Sequence, residues 1–187
     1  IQAQLNGDKK VADLLMRLVD FFRISVKVDR QMVALDDELE LLEAYMDLMC
    51  YRYPNLHCEY DIDPDLGGSL VPNFILQPLV ENSLLHGLKN KGYRGEIVIT
   101  AKKEGNAIEI LIRDSGSGFM DGRKDIIDEM LLHYDKKHAK LEGNSIGILN
   151  VQKRIKLLCG PKYGLSYMEN ETGGVTARLL LPPEEDA

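Results

Sequence analysis

The chain has 187 residues, enough for one ordinary domain or a compact domain with a helical appendage. Lys and Arg number 23 against 30 Asp and Glu, and the resulting net charge of −7 argues against a nucleic-acid or anionic-membrane binder, whose footprint is basic. At 44% hydrophobic and 28% charged the chain can bury a core, and its longest uncharged run, the 15 residues Leu66 to Val80, is too short and too broken by Gly and Pro to span a bilayer.

Three cysteines, Cys50, Cys58 and Cys159, form no CxxC pair and no Cys/His cluster, which suits small buried groups in a reducing, cytoplasmic setting. The chain opens at Ile1 inside a helical pattern, which points to a piece of a longer protein.

In chain order, Val11, Leu14, Leu15, Leu18, Val19 and Phe22 recur at helical spacing and predict a helix over about 8–25. A second helix is predicted from Leu35 to Tyr53, with Asp36, Asp37 and Glu38 complementing the dipole at its first turn. Its seam Leu39, Leu42, Met46 and Met49 can cover the first helix's stripe in one hairpin. Leu41, Tyr45 and Leu48 are then left to a further partner, which a four-helix bundle from two chains supplies.

The period then changes. Leu56, Cys58, Tyr60 and Ile62 alternate with polar residues and predict a strand. An apolar helix is predicted over Pro72 to Leu88. Strands are predicted over Glu96–Lys103 and Ala107–Arg113, joined at Glu104-Gly105-Asn106. A short helix follows around Ile126–Tyr134, another over Ser145–Leu158, and last strands over Tyr163–Met168 and Val175–Leu181 with Thr172-Gly173-Gly174 between them. The fold class is α+β, a two-layer α/β sandwich preceded by an N-terminal helical hairpin, with the division placed at 1–54 and 55–187.

Three segments carry candidate chemistry. In Gln77-Pro78-Leu79-Val80-Glu81-Asn82-Ser83-Leu84-Leu85-His86-Gly87, an Asn within an apolar helix needs a partner. That partner is either a neighbouring loop or a hard cation such as Mg²⁺, which takes oxygen ligands. In Asp114-Ser115-Gly116-Ser117-Gly118-Phe119, an Asp ending a buried strand can accept from an exocyclic amine, and glycines let backbone approach a flat ring. Turn chemistry alone also explains D-x-G-x-G. In Asn144-Ser145-Ile146-Gly147-Ile148-Leu149-Asn150, a Gly in the first turn of a helix can place backbone N–H groups beside phosphates, or the segment is an ordinary N-cap. No P-loop sequence occurs.

The order and spacing of these segments resemble the GHKL (Bergerat) ATPase fold of histidine kinases, Hsp90, type II topoisomerases and MutL. The first segment is similar to the N-box of LytS/YesM-type sensor histidine kinases. Leu39-Glu40-Leu41-Leu42-Glu43-Ala44-Tyr45-Met46 with Tyr51-Arg52-Tyr53, and Leu18 to Ser25 before it, resemble that family's helices ahead of the ATP-binding domain.

The resemblance implies ATP and Mg²⁺ as cofactors, with Glu81 and Asn82 catalytic and Asn82 the metal ligand. It implies that Asp114 reads the adenine amino group beside Gly116, Gly118 and Phe119, and that His86 can contact nucleotide. Ser145, Ile146, Gly147 and Asn150 would lie by the phosphates, 119–146 would form a lid, and Thr176 would make a base-side contact. A homodimer through the N-terminal helices and a response-regulator partner follow, with no nucleic acid and with the membrane reached only through segments upstream.

Departures are also visible. Ser115 stands where Asn is usual, facing the pocket rim, Ser145 where Gly is usual, and Leu85 where relatives carry Lys, so the cation is expected from Lys136, Lys137, His138 or Lys140. No segment resembles the family's Q-x-N-P-H phosphoacceptor box, which is expected upstream of residue 1. The alternative readings are an anti-sigma-type serine kinase, disfavoured by Pro78 where those carry Glu, and a degenerate nucleotide-binding scaffold.

Overall fold

In the computed structural model, residues 9–25, 30–119, 122–135, 145–171 and 173–183 are described. Helix α1 (Lys9–Ser25) leads to a short strand β1 (Met32–Ala34), from which α2 (Leu35–Arg52) runs directly. The main sheet takes β2 (Leu56–Ile62), β4 (Gly95–Lys103), β5 (Ile108–Asp114), β6 (Gly164–Glu169) and β7 (Val175–Leu181) in the order β2-β4-β5-β7-β6. Only the β2–β4 pair is parallel, and the others are antiparallel. Strand β3 (Leu70–Pro72) pairs with β1 in a separate two-stranded ribbon. The helical layer adds α3 (Gln77–Asn82), α4 (Arg123–Leu132) and α5 (Ser145–Cys159).

Period two decides which face of the sheet is covered. Ile97, Ile99 and Ala101 on β4 register with Asp114, Ile112 and Ile110 on β5, and Ile112, Ile110 and Ile108 register with Ala177, Leu179 and Leu181 on β7. All of them are buried. These rows form the floor of the core, and Leu79, Val80, Leu84, Ile148, Val151 and Ile155 from the helices close it. Asp114 belongs to the same alternating set. The strand therefore delivers a carboxylate to the underside of the helical layer.

Several expectations change. The helix expected from Pro72 begins only at Gln77, because Pro72 ends β3 and Phe74 takes φ 57°, a left-handed conformation incompatible with helix. Its second half, Ser83–Leu88, widens to a π-turn, with Lys89 N–H reaching Leu84 O, a distortion frequent at functional sites.

The hairpin contact is different as well. The seam Leu39, Leu42 and Met46 packs into the main core rather than onto α1, with Tyr45 and Met49 half-buried beside it. Helix α1 lies on the opposite flank of α2, where Arg17 pairs with Asp47 at 2.7 Å and stands 5.6 Å from the Tyr51 ring centre. Leu41, expected to await another partner, is already 2% exposed. The α1 stripe is what remains open, since Leu14, Leu15, Val19 and Phe22 are exposed.

Finally, Glu38 is not a solvated dipole charge. It is buried, and its part is taken up below. Lys136, Lys137, His138, Lys140, Asn144, Thr172 and the middle of the expected lid lie outside the described residues.

These contacts set a stability test. Leu42→Ala removes a fully buried side chain and should cost about 2–5 kcal/mol in urea unfolding. Combined with Leu14→Ala on α1, the losses should add within about 0.5 kcal/mol, as for sites without shared partners. Strong coupling between the two would return the seam to α1.

Candidate nucleotide site

The site is built around Asp114. Its carboxylate is 3% exposed, and Oδ1 accepts from Gly116 N–H at 2.9 Å and Val175 N–H at 3.2 Å. Burial raises its pKa, and the two backbone bonds, a bond from Ser83 and the charge of Lys91 oppose that rise. The backbone around it is held from three sides. Asn170 Nδ2 donates to Asp114 O at 2.8 Å, Ser117 N–H donates to Gly87 O, and Lys91 Nζ donates to the carbonyls of Ser115 and Gly116 at 2.6 and 2.9 Å.

Two glycines make this closeness possible. A Cβ on Gly116 would lie 2.4 Å from Gly87 Cα, and one on Gly87 would lie 2.8 Å from Asp114 Oδ1. The π-turn and the Asp114 loop thus cross with no room for a side chain. Gly116 belongs to this crossing rather than to an open wall.

Two cavities flank the π-turn and its helix. The first, about 260 Å³, is walled by Asn82, His86, Asp114, Gly118 and Phe119, with Arg123 and Lys89 at its edge. Phe119 meets Tyr167 edge-on, with ring centres 6.3 Å apart. The second, about 340 Å³, is lined by Glu81, Asn82, Ile146, Gly147 and Asn150, among others. Asn82 and Leu85 line both.

Asn82 Oδ1 is buried and accepts no hydrogen bond. A buried acceptor without a partner costs roughly 1–3 kcal/mol, and of the six such side-chain atoms among the described residues Asn82 Oδ1 is the one whose residue lines both cavities. Among the described residues no group of three His, Cys, Asp or Glu side chains could hold a metal. The donor set is therefore a lone amide oxygen at the junction of two cavities. That suits Mg²⁺, which keeps several waters and takes substrate oxygens. Glu81 is half-buried, and its Oε1 accepts from Gln77 Nε2 at 2.9 Å.

Thr176 stands behind the site, 4% exposed, donating to Asn170 Oδ1 and so bracing the residue that holds the Asp114 carbonyl. Ser115 Oγ accepts from Glu96 N–H at 2.8 Å and faces β4 rather than the pocket rim. Arg123, Lys89 and Lys91 supply positive charge that sequence reading did not assign. Arg123 is 37 positions from its contact His86, a separation with no local signature. Ser145 opens α5.

Each likeness to known proteins points the same way. Residues 72–185 match the histidine kinase-, DNA gyrase B- and HSP90-like ATPase family, and residues 1–56 match a histidine kinase family. The fold is that of a histidine kinase catalytic domain, since the catalytic domain of histidine kinase ThkA superposes with a TM-score of 0.57 at 16% identity, over 83% of this chain and 97% of that one. The chain belongs to the histidine kinase-, DNA gyrase B- and HSP90-like ATPase family.

It is 31% identical over 176 residues to the sensor protein LytS of Oceanobacillus iheyensis, covering 93% of this chain. It is 30% identical over 181 residues to the sensor histidine kinase YesM of Bacillus subtilis, covering 96%. In both cases the chain spans 29% of the relative's length. Full-length ShkA in complex with AMPPNP gives a TM-score of 0.55 at 16% identity, over 97% of this chain and 37% of that one. No described helix is long and apolar enough to cross a membrane.

The His86–Arg123 contact sets a pH test. The Arg123 guanidinium donates to His86 Nε2 at 3.0 Å, which requires a neutral ring. Burial, then Arg123 and Lys89, lower the His86 pKa. The unfolded chain therefore binds the proton more readily, so this contribution is complete above the ordinary histidine pKa and is lost as pH falls through the lower folded value. Thermal unfolding between pH 7.5 and 5 should show His86→Gln, which keeps an acceptor, losing less stability than the parent. An equal loss in both would remove His86 as the source.

Proposed function

We propose that this chain is the ATP-binding catalytic part of a two-component sensor histidine kinase. Residues 1–54 would be the end of its dimerisation helices and 55–187 the catalytic domain. The observation that carries this reading is the orphaned Asn82 Oδ1 between a cavity floored by Asp114 and a cavity reaching the start of α5.

Each cavity then has one task. Asp114 accepts a hydrogen bond from the adenine amino group, while Gly118 and Phe119 wall the base. Ile146, Gly147 and Asn150 lie where phosphates would meet the first turn of α5 and its N–H groups. Among the described residues a Cβ at Gly147 would meet only Pro78, at 3.7 Å, so their packing does not demand a glycine there. Close approach of a ligand does. Arg123 and Lys89 add the charge that Leu85 does not.

Asn82 would hold Mg²⁺, which would supply positive charge to neutralise the phosphates. Phosphoryl transfer of this kind is mostly positioning, so this chain's contribution is to hold the nucleotide in line with an acceptor. Glu81, adjacent to Asn82 and oriented by Gln77, is the carboxylate placed to accept a proton near that point. The acceptor is a histidine outside this chain, and the phosphoryl group passes to a response-regulator aspartate. The exposed stripe on α1 is the surface for a second copy, and the domain lies on the cytoplasmic side.

Calorimetry tests the site. ATP should bind with a gain from Mg²⁺, and Asn82→Ala should abolish that gain while leaving adenosine binding. A carboxylate bond to a donor in a partly dry site is worth roughly 1.5–3 kcal/mol, so Asp114→Asn should weaken every adenine nucleotide on the order of tenfold to a hundredfold. A parent chain that binds no nucleotide would leave only a scaffold role.

Given Mg²⁺ and ATP, the chain should acquire no acid-labile phosphate of its own. None of its three described histidines stands on a dimerisation helix: His57 is exposed on β2, His86 is engaged by Arg123, and His133 caps the end of α4. Label on the isolated chain would show that the acceptor lies within it.

A further inference from the structure

Helix α3, which carries Asn82, has no cap of its own. Its N-cap residue Leu76 makes no side-chain bond, and the preceding turn holds Phe74 at φ 57°. The missing acceptor comes from α2. Glu38, 3% exposed, receives Phe74 N–H on Oε1 at 2.6 Å and Ile75 and Leu76 N–H on Oε2 at 3.0 and 3.2 Å. From the other side, the Arg154 guanidinium of α5 donates to the carbonyls of Asn73 and Phe74. The turn 73–76 is thus gripped by a carboxylate from one helix and a guanidinium from another.

A left-handed non-glycine residue persists only where its surroundings over-determine it. Here they do. Burial raises the Glu38 pKa, while the three amides and the charge of Arg154 favour the ionised form. The first turn of α2 is itself tied to the same region, with Leu35 N–H on Ser69 O and Asp36 N–H on Gly67 O. The start of α2 and the start of α3 therefore move together. From Leu76 to Asn82 is six helical steps, about 9 Å of rise, with no intervening loop to absorb a shift.

We propose that Glu38 is a positioning residue for the nucleotide site, fixing the turn that starts α3 so that the placement of Asn82 is set by helix α2. The proposal deepens the nucleotide reading above and rests on it. It makes a selective statement, because Gly116 and Val175, which hold Asp114 through backbone bonds, belong to the sheet and its loop, and only Ser83, one residue past Asn82, ties it to the helix that the turn starts. Loss of Glu38 should damage the metal-side half of the site and spare the base-side half.

The test compares the parent chain with Glu38→Gln, which keeps size but replaces one accepting oxygen with a donor. The expected result is that the ratio of ATP affinity with Mg²⁺ to that in a chelator falls about tenfold, whereas adenosine affinity stays within about twofold. Glu38→Asp, which keeps the carboxylate, should recover part of the ratio. An unchanged ratio overturns the proposal, and so does a parallel loss of adenosine affinity, the mark of a merely structural role.

Amide hydrogen exchange gives a readout free of nucleotide. Protection should drop over 74–82 and hold over 108–116, and unchanged protection over 74–82 overturns the proposal even if the parent binds no nucleotide. Should Glu38→Gln not fold, Arg154→Gln releases the same turn from its other side and is read by the same ratio and the same exchange.

Discussion

A carboxylate at the end of a buried strand sets the terms for everything around it. Asp114 lies on the core face of β5 because strand residues alternate and Ile108, Ile110 and Ile112 point there. A charge in that position must find hydrogen-bond donors or be neutralised by taking up a proton. The loop after β5 therefore folds back so that Gly116 N–H donates to it, and the start of β7 comes close enough for Val175 N–H to do the same. The helical layer must cover the carboxylate at short range, which only the pair Gly87 and Gly116 permits. The widened π-turn over Ser83–Leu88 is the covering segment itself. The close crossing of the two loops and the backbone irregularity are consequences of one buried charge.

The strands were legible because their signal is local. Alternation over Leu56–Ile62 and Val175–Leu181 marks elements with those same bounds, and the hairpin residues between β4 and β5 sit where expected. The helix bearing Asn82 was legible in kind but not in extent. Its apolar run begins at Val71, and apolar content cannot tell β3 and a tight turn from a first helical turn. The seam on α2 was read correctly as apolar and assigned to the wrong neighbour, since helical spacing reports that a face is buried and not what buries it. Glu38 is the sharpest case. Beside Asp36 and Asp37 it reads as one of three charges on a helix end, and only the fold brings Phe74 to it across 36 positions.

The candidate site divides along the same line. Asn82, Asp114, Gly118, Phe119 and Gly147 stand in contiguous motifs whose composition is itself unusual, and all of them line the two cavities. Residues that complete the site without a motif escaped notice. Arg123 and Lys89 are ordinary surface types in sequence, and they acquire meaning only through proximity to His86 and the cavity edge. Thr176 shows the converse. A family-like position drew attention to it, yet its hydroxyl is spent on Asn170, one bond removed from the cavity. Position in a motif identifies a neighbourhood, and hydrogen-bond accounting decides which atoms still have capacity for a ligand.

That accounting separates the two halves of the site. On the Asp114 side the loop after β5 is committed: Asp114 Oδ1 accepts two backbone bonds, its carbonyl accepts Asn170, and the Ser115 and Gly116 carbonyls accept Lys91. This half is rigid before any ligand arrives, which limits the ordering cost of binding a flat ring. On the Asn82 side the amide oxygen Oδ1 is uncommitted among the described residues, and its helix starts from a turn held at a distance by α2 and α5. On the proposed reading, in which the Asp114 half would take the base and the Asn82 half the phosphates, the two halves would respond differently to movement of the N-terminal helices. Movement of α2 relative to the sheet would reach Asn82 through the turn at 73–76 before it disturbed Asp114, so a signal arriving along α2 would alter how the phosphates are held while leaving the base in place.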